Sequence, residues 1–552
     1  MQATASSAES FSGISAQPQP SFNGSESTVL TIRNPRTREL VGICVKSTCR
    51  VWAPAAYGDL AGAFYHLRTL LEHHMKTTRP YPLPDFEKLA HNINQLFLKD
   101  RGGVSMQFFN DLGMLIEQTW KDRNYDEGVF PEIATQALAQ VDAVKEISPR
   151  DIIHCLQTDG EVPRQRKDQF SDLPLTVFHK PRFRIDVYFW LDGTTTVHQH
   201  SFCGAFQVLA GSSIHSQYGF ERDQAINPQF STGEVLFKSV ELLKERDIRP
   251  ILPGRQFIHS LFHLDRPSVT ITVRTHECLS ALPQFDYLKP YLAVDPFYED
   301  EVLKRKVQSI LLLLRMKHPD AYSLLTEMVL SSDFYTTYWV LSAVFQHLME
   351  VTWDKAMHAN GSNDELQLLP EERKHFYELF KQARRKHGTL VNLIPAVLGE
   401  LQRQRVLVDL RRDVVTKEHR LFLALLLNVP LRQLIIDLVK QRLPGKSPID
   451  VICQWVQELA RVQRSRVPEQ TVVGIADFND SNMYLLHLLL SGYSFAEIEG
   501  EYDRGKLGKG APGTKAELES IYRSFQKSVL IKSLLSNSTA TINQRESPHL
   551  SE

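Results

Sequence analysis

Cysteine is sparse in this chain and follows no pattern. The six residues (Cys44, Cys49, Cys155, Cys203, Cys278 and Cys453) are scattered with no Cys-x-x-Cys pair, which excludes a zinc ribbon and the disulfide framework of a small secreted fold. There is no excess of charge either. Lys plus Arg number 63 against 64 for Asp plus Glu, so nothing points to nucleic acid or an anionic membrane as the main partner. Two locally basic stretches, KQARRKHG (381–388) and RQRVLVDLRR (403–412), sit inside helical patterns with acids nearby and read as solvated helix faces. No long apolar run occurs: ILLLL (310–314) falls far short of the ~20 residues needed to span a bilayer. The N-terminus lacks a basic start followed by an apolar core, so it does not read as a signal peptide, and a reducing cytoplasm is the expected location. The helical stretches carry no phosphate-binding glycine loop and no Ser-His-Asp or Cys-His motif.

At 552 residues, with 42% apolar and 23% charged residues, the composition is that of a soluble globular protein of two or three domains. Residues 1–27, rich in Ser, Gln, Pro and Gly, are expected to be a disordered tail, and residues 536–552 a second one. Over 28–171 the pattern is mostly helical. YGDLAGAFYHLRTLLEHHM and DFEKLAHNINQLFLKD repeat apolar residues at three- and four-residue steps, and SPRDIIHCLQ (148–157) opens with a Ser cap and a Pro at the first helical position. Near 172 the period changes to two. In RFRIDVYFWLDG (182–193), Phe183, Ile185, Val187 and Phe189 alternate with Arg182, Arg184, Asp186 and Tyr188, and Asp-Gly ends the run. Further short strands follow, so 172–280 is expected to be a sandwich or small barrel. From 281 to 535 the pattern is helical again. The fold class is therefore α+β: an N-terminal helical segment, a central β unit and a large C-terminal helical domain.

The β unit contains TVHQHSFCGAF (196–206). On a strand, His198 and His200 share a face about 6–7 Å apart, a spacing that serves either a solvated face or half of a metal site. A third ligand must come from another strand. PGRQFIHSLFHLDRP (253–267) supplies His259 and His263, which also share a face. This second histidine strand, following a Pro-Gly turn, favours metal.

These residues resemble the cupin family. Its first motif is a glycine, His-x-His, a glutamate and a second glycine; here Gly193, His198, His200, Gly204 in the glutamate position, and Gly211 correspond. Its second motif, Pro-x-Gly-x-x-His-x-x-x-Asn, corresponds to Pro253, Gly254 and His259, with one extra residue and His263 in the asparagine position. With Gly204 removing the carboxylate, His198, His200 and His259 are similar to the three-histidine variant of the thiol dioxygenase branch, around cysteine dioxygenase. The resemblance implies a mononuclear iron(II) site, O₂ as co-substrate, and a small thiol or other anionic substrate. Three neutral imidazoles suit a first-row metal and leave positions open; with no charged ligand, an anion would bind well.

Relatives of that branch hold the substrate carboxylate with an arginine. Arg182, Arg184 and Arg274 are the candidates here, and Arg274, in alternation with Val269, Ile271 and Val273, is the expected catalytic one; a rim salt bridge is its alternative role. The branch's tyrosine on the final strand is missing from SVTITVRTHE, so no cysteine–tyrosine crosslink to Cys203 is expected. His215 reads as a surface or packing residue, Trp190 as core, and His73, His74 and His179 as ordinary helix or loop residues; His263 is a possible replacement for His259. The helical regions either cap the barrel mouth or bind a protein or peptide. A non-catalytic cupin scaffold or ligand sensor, and a cupin using another metal for isomerase or hydrolase chemistry, are the competing functions.

Overall fold

The computed structural model describes the strand segments 14–19, 27–33, 40–45 and 48–51, and then residues 106–158, 163–166, 170–358, 370–467 and 469–535. The expected helical patterns at 57–75 and 85–100, and the tail at 536–552, lie outside the described residues. The chain divides into two units, Met1–His91 and Asn92–Glu552. In the first, β1 (Ile14–Gln19), β2 (Ser27–Arg33), β3 (Leu40–Val45) and β4 (Thr48–Val51) form an antiparallel sheet in chain order. β1 falls inside the stretch expected to be disordered. Its backbone pairs with β2 from Ile14–Ile32 to Gln19–Ser27, a pairing that Ser- and Gln-rich composition does not report.

The second unit opens with α1 (Gln107–Lys121), α2 (Phe130–Val141) and α3 (Pro149–Thr158). α3 starts as its sequence predicts: Ser148 Oγ accepts from the Asp151 backbone N–H at 3.2 Å and donates to the Asp151 carboxylate at 2.7 Å. Eleven strands follow: β5 (Leu173–His179), β6 (Phe183–Trp190), β7 (His198–His200), β8 (Gly204–Ala210), β9 (Ser212–Asn227), β10 (Phe230–Lys244), β11 (Ile248–Ile251), β12 (Gly254–His263), β13 (Ser268–Thr275), β14 (Asp286–Leu288) and β15 (Leu292–Val294). One sheet has the order β11-β8-β13-β6-β5. The other closes on itself as a six-stranded barrel, β10-β15-β14-β7-β12-β9. The β unit thus runs past residue 280. β14 and β15 complete the ring between β7 and β10, and at three residues each they are too short to show a two-residue period.

The alternation along β6 has a clear structural meaning. Phe183, Ile185, Val187 and Phe189 join Ile116, Trp120, Phe130 and Leu138 in one core between sheet and helices. The opposite, polar face is also buried, and Arg184, Tyr188 and Trp190 line a cavity there. The polar face is the inside of the β unit.

Twelve helices complete the described chain: α4 (Glu301–Arg315), α5 (Ala321–Ser331), α6 (Phe334–His358), α7 (Pro370–His387), α8 (Leu393–Leu410), α9 (Lys417–Asn428), α10 (Arg432–Arg442), α11 (Pro448–Leu459), α12 (Asp480–Leu490), α13 (Phe495–Asp503), α14 (Lys515–Lys527) and α15 (Val529–Leu535). α4–α8 share a core with Phe230, Leu292 and Val294 of the barrel. α8–α15 share another with Ile214, Phe262 and Leu264. Two arginines tie this second group down. Arg411, in a stretch that reads as a solvated face, is fully buried. Its guanidinium lies 5.0 Å from the Phe262 ring and donates to the carbonyls of Gly193, Leu191 and His263. Arg420 is 1% exposed, donating to the carbonyls of Val414 (2.8 Å) and Leu264 (3.4 Å) and reaching Asp192 at 3.5 Å. The acids near Arg411 in sequence suggested solvation, but its partners lie 148 to 220 residues away.

Candidate metal centre

β7 is short and fully buried, and its alternation turns His198 and His200 to one side. It pairs with β12 so that His198 stands opposite His259. The three imidazoles are 2%, 5% and 3% exposed for His198, His200 and His259, and one nitrogen from each lies within 4.8 Å of the others.

The hydrogen bonds assign the nitrogens of His198 and His259. His198 Nδ1 is 2.9 Å from the Thr196 carbonyl oxygen, which only accepts, so Nδ1 carries the proton. The lone pair is then on Nε2, which is buried without a hydrogen-bond partner. His215 Nδ1 is 2.7 Å from Glu241 Oε1, so it donates there, and its Nε2 accepts from His259 Nδ1 at 3.0 Å. His259 Nε2 is thereby left with its lone pair, facing His200 Nε2 at 2.9 Å. Imidazole nitrogens about 2.1 Å from a shared ion and at right angles to one another would stand about 3.0 Å apart. The spacing and the orphaned Nε2 of His198 therefore fit a metal ion.

Burial pushes His200 and His259 well below the ordinary histidine range, and the neighbouring histidines, with Arg274 beside His200, disfavour a proton further. It also lowers His198, against Asp286 and the Thr196 carbonyl, which pull upward. The donors are therefore neutral at neutral pH. Burial would raise Glu241, but hydrogen bonds from His215 and Arg249 outweigh it and hold the carboxyl down at about 2. Arg249 grips that carboxylate with two nitrogens, at 2.9 and 2.5 Å.

His215 is the residue that sequence reasoning misjudged. It is fully buried and forms the link between Glu241 and His259. It opposes Leu261 on β12, which makes it a diagonal neighbour of His259 across the pair of strands. The available signal was the polar set Ser213, His215 and Gln217 on one face of β9. His263, four residues and about 13 Å further along the strand than His259, does not reach the cluster. Its ring stacks on Trp190 at 4.5 Å and its Nδ1 is 2.8 Å from Ser213 Oγ.

Gly204 in the glutamate position has a steric cause. A Cβ there would run into the carbonyl oxygen of Val273 and stand 2.9 Å from Arg274 Cα, because β8 and β13 are packed at that point. Cys203 lies beside Thr275 and Cys278, its Sγ 3.7 Å from Cys278 Sγ.

The three arginines part company. Arg182 is exposed, and its guanidinium stacks on Tyr125 at 4.4 Å, outside the cavity lining. Arg184 lines the cavity but is tied to Asp186 at 2.6 Å, a carboxylate that also accepts from Tyr188 (3.0 Å) and Thr176 (2.9 Å). Arg274 lines the same cavity as the three histidines. Its guanidinium carbon sits over the Phe202 ring, 3.1 Å from the ring centre, and among the described residues its hydrogen bond is a single weak one, from Nε to the Thr275 carbonyl at 3.4 Å.

The chain matches no protein-family model and no curated protein. What the fold and the site define is a cupin-like barrel with a buried three-histidine metal-binding site.

Proposed function

We propose that the protein is a mononuclear iron(II), O₂-using oxygenase, similar in its site to the thiol dioxygenases. One observation carries the reading: three neutral imidazole nitrogens converge in a buried cavity, and a backbone contact at Gly204 keeps a carboxylate out of the ligand position. Iron(II) bound there would supply the one-electron and O₂ chemistry that side chains lack. His198, His200 and His259 would hold it. His215 and Glu241 orient the His259 ring and keep its proton on Nδ1. Arg274 forms no ion pair among the described residues, presents its positive charge to the cavity and would hold the anionic end of the substrate. Arg184, neutralised by Asp186, shapes the wall. Four free cysteines among the described residues suit a reducing compartment such as the cytoplasm, and no helix among those residues is long and apolar enough to cross a membrane. The second reading is a ligand-sensing barrel without catalysis, favoured by β13 having no tyrosine where the thiol dioxygenases have one.

The test is metal content followed by O₂ uptake. Anaerobically loaded protein should hold about one iron(II) per chain, and the double variant His198→Ala/His200→Ala should hold none while its far-ultraviolet circular dichroism stays unchanged. Iron-loaded protein should consume O₂ with an anionic substrate. Stoichiometric metal in the double variant would remove the site, and full iron loading without O₂ uptake across thiols and carboxylic acids would leave the sensor.

A further inference from the structure

The cavity in front of the histidines is larger than an amino-acid-sized thiol requires. Its volume of about 730 Å³ belongs with pockets for ligands of many heavy atoms, about 300–1,000 Å³. Two aromatic groups build its wall. Beside His200, the Phe202 ring lies 4.4 Å away and carries Arg274 on its face. Beside His198, Phe170 lies 6.2 Å away and meets Tyr188 and Trp190 edge-on, each at 5.3 Å. The polar tips of this second group are turned into the wall: the Tyr188 hydroxyl donates to Asp186 and the Trp190 N–H points to Thr270. An α-amino acid would also bring an ammonium group, which finds little here. Glu277 lines the cavity at an exposed position, and Asp186 already takes three donors.

We propose that the site takes an aromatic carboxylate, or an acid of similar breadth, with its charge at Arg274 and its ring against Phe170, Tyr188 and Trp190. This deepens the metal-centre reading by naming its substrate class, and rests on that reading for the reacting end alone. The charge selects the anion because the guanidinium lacks a carboxylate partner among the described residues. The rings select breadth because stacked and edge-on aromatic contacts need a partner ring to fill the space between them.

The experiment is calorimetric titration of the full chain, zinc-loaded and metal-free, with 3-phenylpropionate, 3-phenylpropionamide, propionate and L-cysteine. Zinc removes redox turnover, so the readout is binding. 3-Phenylpropionate should bind at least tenfold more tightly than propionate and at least tenfold more tightly than its amide. Arg274→Met should abolish the preference for acid over amide, and Arg274→Lys should restore part of it. Phe170→Ala, at a position 46% exposed and so tolerant of truncation, should reduce the preference for the ring. Propionate or L-cysteine binding as tightly as 3-phenylpropionate would overturn the proposal, as would equal affinity for acid and amide or no binding of the aryl acid in either form. Loss of zinc binding with the aryl-acid preference intact in the metal-free chain would strike the metal centre and leave the ligand class standing.

Discussion

His215 Nε2 stands 3.0 Å from His259 Nδ1, and the other nitrogen of the His215 ring is 2.7 Å from Glu241. The pair fixes which nitrogen of His259 faces the cavity. Outer partners of metal-binding histidines typically contribute 10–100-fold in metal affinity. His215→Ala should therefore weaken zinc or cobalt(II) binding by about 10–100-fold while one ion per chain still binds at saturation, as read by competition with a chromophoric chelator. The cobalt(II) absorption should shift as the His259 ring loosens. An unchanged affinity and spectrum would mean that strand packing alone orients His259.

At Gly204 the backbone leaves no room for the glutamate that the cupin motif carries. Gly204→Glu would put back the family's carboxylate, but its Cβ would meet the Val273 carbonyl before the carboxylate reached the histidines. Overpacking of this kind costs roughly 1–3 kcal/mol, and more where backbone is struck. Gly204→Ala and Gly204→Glu should both be destabilised by about 2 kcal/mol or more in denaturant unfolding, and neither should gain metal affinity. A stable, tighter-binding Gly204→Glu protein would refute this account of the missing ligand.

Arg411 donates to three carbonyls, those of Leu191 and Gly193 in the turn after β6 and that of His263 on β12. Arg411→Met keeps the apolar stem over Phe262 and removes the donors. The His263 bond is buried and the other two partly so; a buried acceptor left without a partner costs about 1–3 kcal/mol, so urea unfolding should show a loss of about 2 kcal/mol. Because these carbonyls flank the Gly193 loop and His263 rather than the metal ligands, zinc stoichiometry should persist. A loss below about 1 kcal/mol would show that water or another side chain replaces the guanidinium.

His263 makes the fold sensitive to acid. Burial, and then the nearby charge of Arg411, hold it well below the ordinary 6.5 in the folded chain. Between that lowered value and 6.5 the unfolded chain binds one proton more, so stability falls as the pH drops through this window, by up to about 1.4 kcal/mol per pH unit. In His263→Gln, the stability-against-pH curve of the metal-free protein should lose up to one proton of slope as the pH falls below about 6.5. Parallel curves for the two proteins would mean that His263 takes up no proton on unfolding.

The three-histidine cluster was legible because strand alternation is a local rule. His198 and His200 lie two residues apart, and a second histidine strand follows a Pro-Gly turn. The same rule located β6 and its two faces. It could not say which face of a strand is wet. In an ordinary open sheet the polar face of β6 would meet solvent, whereas here the second sheet covers it and turns Arg184, Tyr188 and Trp190 into cavity wall. β14 and β15, at three residues each, carry too little sequence for any period to show.

Residue type and spacing by themselves determined the α+β order of the chain, the four candidate histidines (His198, His200, His259 and His263) and the absence of a carboxylate at position 204, since each depends on neighbours a few residues apart. The tertiary structure alone decided what those residues meet. It chose His259 over His263 by the register of β12 on β7, joined His215 to the site across two strands, paired Arg184 with Asp186 while leaving Arg274 over Phe202, and buried Arg411 against carbonyls up to 220 residues away. The physical reason is that hydrogen bonds and ion pairs act over a few ångströms of space, and distance along the chain says nothing about them until the strands have paired.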